Sequence, residues 1–439
     1  MKEKIDFLLC YEHKAREFET IVLIKRALEK RGYKVKYRCL YQNSVLDYPQ
    51  YKEIKPKCVI VPAAYDRKIL ECFCFNIVGF VNKIINLQWE QILTVEEESD
   101  VNAYHNPKGI AKNVVHLCWG KKTKERLINA GVKENKIFIT GPVHLDFLRP
   151  QFRSCIYSKN YLSNIFNINK EKKWVLFISS FGYCDLDDRM KSYITSCYGE
   201  DYVNYFIDFS KKSRTQILEW LKKLINSTDE FEVIYRPHPD EIKVNNELLK
   251  LSSDNKNFHI IKDYAVKNWI NSCDIILNWF STSRADVVFL DKKEIVLRPI
   301  QIRDKDEVTI MRGEDFCCNY EDFIHRIKLE NEIKVSPLIY DYYDVDKTIP
   351  SYERVADICE LVLKNKEFNL RYSFMDYFVF YIKVFKYYVF KIFRKYFGSF
   401  PITKYYIKHF EDSENFLKEG QLSNIGTYEE EIEIINSHF

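Results

Sequence analysis

Short apolar runs alternate with longer amphipathic stretches through most of the chain. Ile5 to Cys10, Lys34 to Cys39, Val59 to Pro62, Lys83 to Leu87, Val114 to Trp119 and Lys136 to Thr140 read as buried strands. Glu17 to Arg31 places apolar residues at helical intervals and stops at Gly32, and Lys122 to Ala130 does the same before Gly131. Strands separated by helices of this length predict βαβ units and a parallel sheet. Open sheets of that kind bind ligands in the loops at the carboxyl ends of their strands.

A polar, irregular stretch from Arg149 to Lys173 reads as a connection, after which the alternation restarts. Trp174 to Ser179, Phe231 to Tyr235, Asn257 to Ile261, Asp274 to Leu277 and Glu294 to Leu297 are the next strands. Lys211 to Leu224, Ala265 to Asn271 and Thr282 to Leu290 are the helices among them. The expected organisation is two Rossmann-like α/β domains, 1–165 and 166–350, facing across a cleft, with no internal sequence repeat. Residues 351–439 change character. Tyr352 to Lys364 is a helix candidate, and Arg371 to Phe400 is crowded with Tyr and Phe. On a helix, Lys383, Lys386, Lys391, Arg394 and Lys395 share one side, while Phe374, Phe378, Tyr381, Phe385, Tyr388, Ile392 and Tyr396 occupy the other. A basic face opposite an aromatic one suits an anionic membrane surface. The alternative is a helix that caps the protein's own core. The tail beyond Pro401 is acidic and reads as peripheral.

Composition narrows the choices. At 439 residues the chain exceeds a single core, which agrees with two domains. A net charge of +4 over that length is too small to imply nucleic-acid binding. The 13 cysteines are scattered, with Cys72 and Cys74 in a C-x-C, Cys317 beside Cys318, and no C-x-x-C; reduced thiols are expected rather than a metal site. The chain starts directly on a strand, without the pattern of a signal peptide, and no stretch of about 18 uncharged apolar residues occurs. A cytoplasmic location is expected, with the tail able to rest on the inner face of the cell membrane.

Candidate chemistry gathers at three strand ends. Arg236-Pro237-His238-Pro239-Asp240 follows the Phe231–Tyr235 strand. Arg236 offers a rigid fork of donors to a phosphate, and the two prolines fix the backbone around an imidazole that can donate to a leaving oxygen. Ser281, Thr282 and Ser283 follow another strand, where hydroxyls and helix-start N–H groups suit a phosphate; ordinary capping uses the same donors. Ser180, in Ser179-Ser180-Phe181-Gly182, opens the second domain with a loop suited to backbone donation. Arg284 and Arg298 are further cations near these loops. The Asp185-Leu186-Asp187-Asp188 stretch reads as polar loop, and no metal or other cofactor is expected.

These motifs resemble bacterial GT-B glycosyltransferases of surface and capsular polysaccharide synthesis. Arg236-Pro237-His238-Pro239 matches their "HP" element, and Ser281-Thr282-Ser283 their serine/threonine element, as in the CMP-sugar (sialyl and Kdo) transferases and the CDP-glycerol glycerophosphotransferases. Cys118-Trp119-Gly120, Gly131-Val132 and Lys136 through Asp146 look like the end of the N-terminal domain in such enzymes. The resemblance implies an inverting, metal-independent transfer from a nucleotide-activated sugar to a glycan or lipid-linked glycan. In it His238 contacts the donor phosphate and the Ser281 and Thr282 hydroxyls help hold it. The family's base is acidic and sits in the N-terminal domain, but its acidic-acidic-Gly element is absent here. Glu90, after a strand and beside Trp89, is the first candidate, and Glu17, beside Arg16 in the loop after the first strand, is the second. His13, His105 and His144 lie in neighbouring loops. CDP-polyol transfer, a non-hydrolysing nucleotide-sugar epimerase and a membrane-associated scaffold with a degenerate transferase fold are the alternatives.

Overall fold

A computed structural model describes residues 3–12, 14–40, 54–238, 241, 244–329 and 338–397. The chain divides into two compact units. The first comprises Met1–Gln91, Val101–Asp146 and Tyr342–Phe439, and the second Ile92–Asp100 and Phe147–Asp341.

The sheet of the first unit is built from β1 (Glu3–Tyr11), β2 (Val35–Cys39), β3 (Ile54–Val61), β4 (Ile84–Asn86), β5 (Val115–Cys118) and β6 (Ile137–Ile139). Their order is β2-β1-β3-β4-β5-β6, and every pairing is parallel. Phe7, Leu8, Leu9 and Cys10 of β1 are all buried, as are Cys58 to Val61 of β3. Continuous apolar runs of this kind mark strands covered on both faces. Helix α1 (Lys14–Lys30) packs on β1 and β2, and helix α2 (Lys121–Asn129) follows β5. Strand order reverses between β1 and β3, which is the topological switch point of this sheet.

The sheet of the second unit contains β7 (Lys173–Ile178), β8 (Phe231–Arg236), β9 (Phe258–Ile260), β10 (Ile275–Asn278) and β11 (Lys293–Val296). The order is β11-β10-β7-β8-β9, again all parallel, with the reversal between β7 and β10. Helix α3 (Glu200–Ser227) lays Phe209, Ile217, Leu221 and Leu224 against one face, where the Phe181 ring lies 4.5 Å from that of Trp279, tilted by 37°. Trp174, Trp269, Ile234 and Ile276 fill the other face. The sequence pattern starts this helix at Lys211, but it begins at Glu200. Its first turns pack through Tyr202, Phe206 and Phe209, aromatic positions that read less clearly than an aliphatic stripe. Helices at Asp188–Tyr198, Asn246–Asp254 and Tyr320–Lys328 lie in stretches the sequence pattern left unassigned.

Residues beyond Tyr342 return to the first unit. Helix α4 (Ser351–Lys364) packs on α1, where Arg31 reaches Asp357 at 2.7 Å and also pairs with Glu353. Its amino end is held by buried Asp146, whose carboxylate accepts from Ser351 N at 3.0 Å and Tyr352 N at 2.8 Å. Gly141 has φ +77°, and a Cβ there would collide with Asp344 O and come within 2.6 Å of Ser351 Oγ. The Gly141 to Asp146 stretch thus has a structural task in this fold: it receives the returning chain. Helix α5 (Phe374–Phe397) buries Phe380 and Val384 among Phe73, Phe75 and Leu370 of the same unit. Among the described residues no helix is long and apolar enough to cross a membrane.

Candidate functional site

In the second unit the three candidate loops follow adjacent parallel strands. Ser180 follows β7, His238 follows β8 and Ser281 follows β10, so all three leave the same edge of the sheet beside its switch point. Pro239 and Asp240 lie outside the described residues.

A buried carboxylate joins the first two loops. Glu241 accepts from the His238 backbone N at 3.0 Å, from Phe181 N at 3.2 Å, from the Tyr235 hydroxyl at 3.1 Å and from the Ser179 hydroxyl. Ser179 Oγ, 2.9 Å from the Tyr235 hydroxyl, is the alternative acceptor for the same proton, and Glu241 N returns a bond to His238 O at 2.9 Å. Burial, together with the Glu241 carboxylate, pushes the Tyr235 hydroxyl well above its usual range, so it stays protonated and donates. A buried carboxylate within reach of four donors makes a rigid hub. His238 is half-buried at the lip of this network.

The fork of Arg236 is directed elsewhere. Its Nη1 donates to Asp263 O at 2.9 Å and its Nη2 to Tyr264 O, which tethers the loop after β9 to the end of β8. Tyr264 sits there at φ +61°, a strained value for a side-chain-bearing residue. The Arg236 contacts therefore organise the floor beside His238.

Asn278, buried at the end of β10, shapes the third loop. Its Oδ1 accepts from Ser281 N at 2.9 Å, and its Nδ2 donates to Ser281 O at 3.0 Å and Glu294 Oε1 at 2.9 Å. Ser281 Oγ in turn accepts from Ser283 N at 3.2 Å. Thr282 is exposed, while Ser281 and Ser283 are half-buried. The helix that follows, Arg284–Phe289, is shorter than the sequence suggests, so its dipole contributes little and the hydroxyls themselves are the useful donors. Arg284 points away into the unit, between Glu294 at 2.9 Å and Glu314 at 2.8 Å. Arg298 is likewise neutralised by Glu307 at 2.6 Å. Both expected cations are spent on internal pairs.

In the first unit, Arg16 and Glu90 meet at the corresponding edge, after β1 and β4. Arg16 and Glu17 lie in the first turn of α1, where the sequence had suggested a loop. Glu17 is fully buried and accepts from Glu12 N at 2.7 Å and Arg16 Nη2 at 2.8 Å. Glu90 pairs with Arg16 through one oxygen and keeps 42% of its side chain exposed. Trp89 turns inward, its ring 6.3 Å from Trp119 and 6.2 Å from His144. His105 packs edge-on against Tyr65 and Tyr104. His13 lies outside the described residues.

No family model matches the chain, and no curated protein matches it. Among solved structures, the wall teichoic acid polymerase TagF superposes with a TM-score of 0.52 at 13% identity, over 83% of this chain and 89% of that one. A TagF structure soaked with CDPG gives the same score over 82% and 89%. The UDP-GlcNAc 2-epimerase of Methanocaldococcus jannaschii in complex with UDP-GlcNAc and UDP reaches 0.48 at 15% identity, over 82% and 99%. At these identities the likeness speaks to fold, and the fold is that of two parallel-sheet α/β units of GT-B type.

Proposed function

We propose that this chain is an inverting, metal-independent transferase that moves a sugar from a cytidine-linked donor, a CMP-sugar first, onto a surface-polysaccharide glycan. The observation that carries the reading is the Glu241 hub, which fixes the His238 and Ser180 loops beside the Ser281 turn at a switch-point edge. The donor phosphate would gain negative charge as the glycosidic bond breaks. His238 donates to the departing oxygen, and Ser281, Thr282, Ser283 and the Ser180 backbone supply neutral donors around it. Preorganisation is what makes such donors effective, because they need not reorient as the charge develops. Arg236 keeps a positioning part through the Asp263–Tyr264 loop.

In the first unit Glu90 is the carboxylate assigned to the acceptor hydroxyl, because it is the exposed member of the cluster, and Glu17 holds Arg16 in place. CDP-polyol transfer is the second reading, favoured by the likeness to the wall teichoic acid polymerase. The test is a thermal-unfolding screen with CMP, CDP, UDP and GDP, repeated on His238→Ala. CMP or CDP is expected to raise the midpoint by roughly 2 °C or more at saturation, with the gain lost in the variant. Stabilisation by UDP alone would overturn the cytidine assignment in favour of epimerase-like chemistry. Undiminished transfer by His238→Ala would remove the phosphate role.

A further inference from the structure

Helix α5 carries apolar rings on two sides. Phe380 and Val384 are sunk into the core of the first unit, and Asp376 at its start pairs with Arg67. These anchors fix the helix's rotation about its own axis, so a second stripe cannot turn inward. That stripe is Phe374, Phe378, Tyr381, Phe385, Val389 and Ile392, each between 48% and 80% exposed. The positions advance in steps of four and three, and Phe374 and Phe385 lie eleven residues apart. A repeat of about 3.67 residues per turn keeps the stripe straight along the axis. From Phe374 to Ile392 it presents a ridge about 28 Å long. Contiguous exposed apolar surface of this extent marks an interaction site.

Charge selects the occupant. From Lys383 to Phe397 the sequence holds Lys383, Lys386, Lys391, Arg394 and Lys395 and no acidic residue. A second copy laid along the stripe would bring more cations to it, and the one acidic residue of each helix, Asp376, is already paired with Arg67. Aromatic rings backed by cations fit the boundary between headgroups and acyl chains of an anionic leaflet, where ring burial and phosphate attraction add. The helix cannot span a membrane, so the contact lies in the plane of the surface. We propose that α5 docks the first unit onto an anionic lipid surface through the Phe374–Ile392 stripe. The proposal stands independently of the transferase reading.

The experiment is co-sedimentation of the full chain with phosphatidylglycerol-containing and with pure phosphatidylcholine vesicles, at low and high salt. Partitioning is expected to favour the anionic vesicles and to weaken with salt. Phe378→Ser with Phe385→Ser is expected to reduce it roughly tenfold or more while leaving the unfolding midpoint in place, because both rings are exposed. Lys386→Glu should weaken binding to anionic vesicles alone. Failure of the full chain to bind anionic vesicles would overturn the proposal, as would equal binding by the double variant. Self-association abolished by the double variant, without vesicle binding, would assign the stripe to a second copy. Binding that appears only after removal of residues 398–439, which hold eight Asp and Glu against three Lys, would assign it to the chain's own tail.

Discussion

Glu241 carries more of the candidate donor site than any residue in the Arg236–His238 run. Its carboxylate collects donors from Ser179, Phe181, Tyr235 and His238, groups that come from β8 and from the loops after β7 and β8. Glu241→Ala would leave those donors buried without an acceptor, at a cost of about 2–4 kcal/mol in stability, and would loosen His238. Urea unfolding checks the first effect and nucleotide-induced stabilisation the second, with Glu241→Gln recovering part of both. The His238 loop is legible in sequence because two prolines around an imidazole have a local signature. Glu241 has none: in sequence it resembles any solvated acid in a polar loop, and its role arises from contacts 60 and 62 residues away. Arg236 shows the converse. Its residue type suggests phosphate, but the carbonyls of Asp263 and Tyr264 take its fork.

At the scale of elements, β4 and β5 are joined by more than their ladder. His116 on β5 is fully buried, its Nδ1 accepting from Asn86 Nδ2 at 3.1 Å and its Nε2–H donating to Ala111 O at 2.9 Å. That pairing suits the neutral ring, and burial lowers its pKa from 6.5 to about 4. Above pH 6.5 the ring is neutral in folded and unfolded chain alike. As pH falls from 6.5 to 4 the unfolded chain takes up the proton and the fold does not. Stability therefore drops by up to about 1.4 kcal/mol per pH unit, on the order of 3 kcal/mol in total, and the loss is complete below the folded pKa. The pH dependence of chemical unfolding measures this slope, and His116→Gln should flatten it even if the variant is less stable throughout. The strands themselves are easy to read from their apolar runs. Helices such as Asn246–Asp254 and Tyr320–Lys328 are harder, because few residues in each are buried and charge dilutes the period.

Across the whole molecule, sequence order and structural membership part company. Ile92–Asp100 belongs to the second unit, where Thr94 pairs with Val308 and Leu93 O accepts from Thr309 N at 3.0 Å. The segment from Tyr342 belongs to the first, fastened by Arg31, Asp146 and the Gly141 turn. A chain cut after Asp341 loses α4 and α5 and exposes the apolar faces they cover. It is expected to aggregate or show one folded unit by limited proteolysis, whereas a cut after Phe397 should preserve both. Two α/β units are legible from the alternation of strands and helices, since that pattern is local. Excursions are invisible to it, because nothing in the composition of Val95–Ser99 or Ser351–Lys364 says which sheet each will join.

The return of the chain to its first unit bears on biogenesis. During synthesis β1 to β6 emerge early, yet the partner surface for α1 and the donors that satisfy Asp146 are made only after the second unit has been translated. The second unit has all its segments once residue 341 has emerged and can fold on the ribosome, while the first must wait. The unit that begins the chain is thus the last to be completed, and its sheet, still without α4 and α5, is what a nascent-chain chaperone would meet.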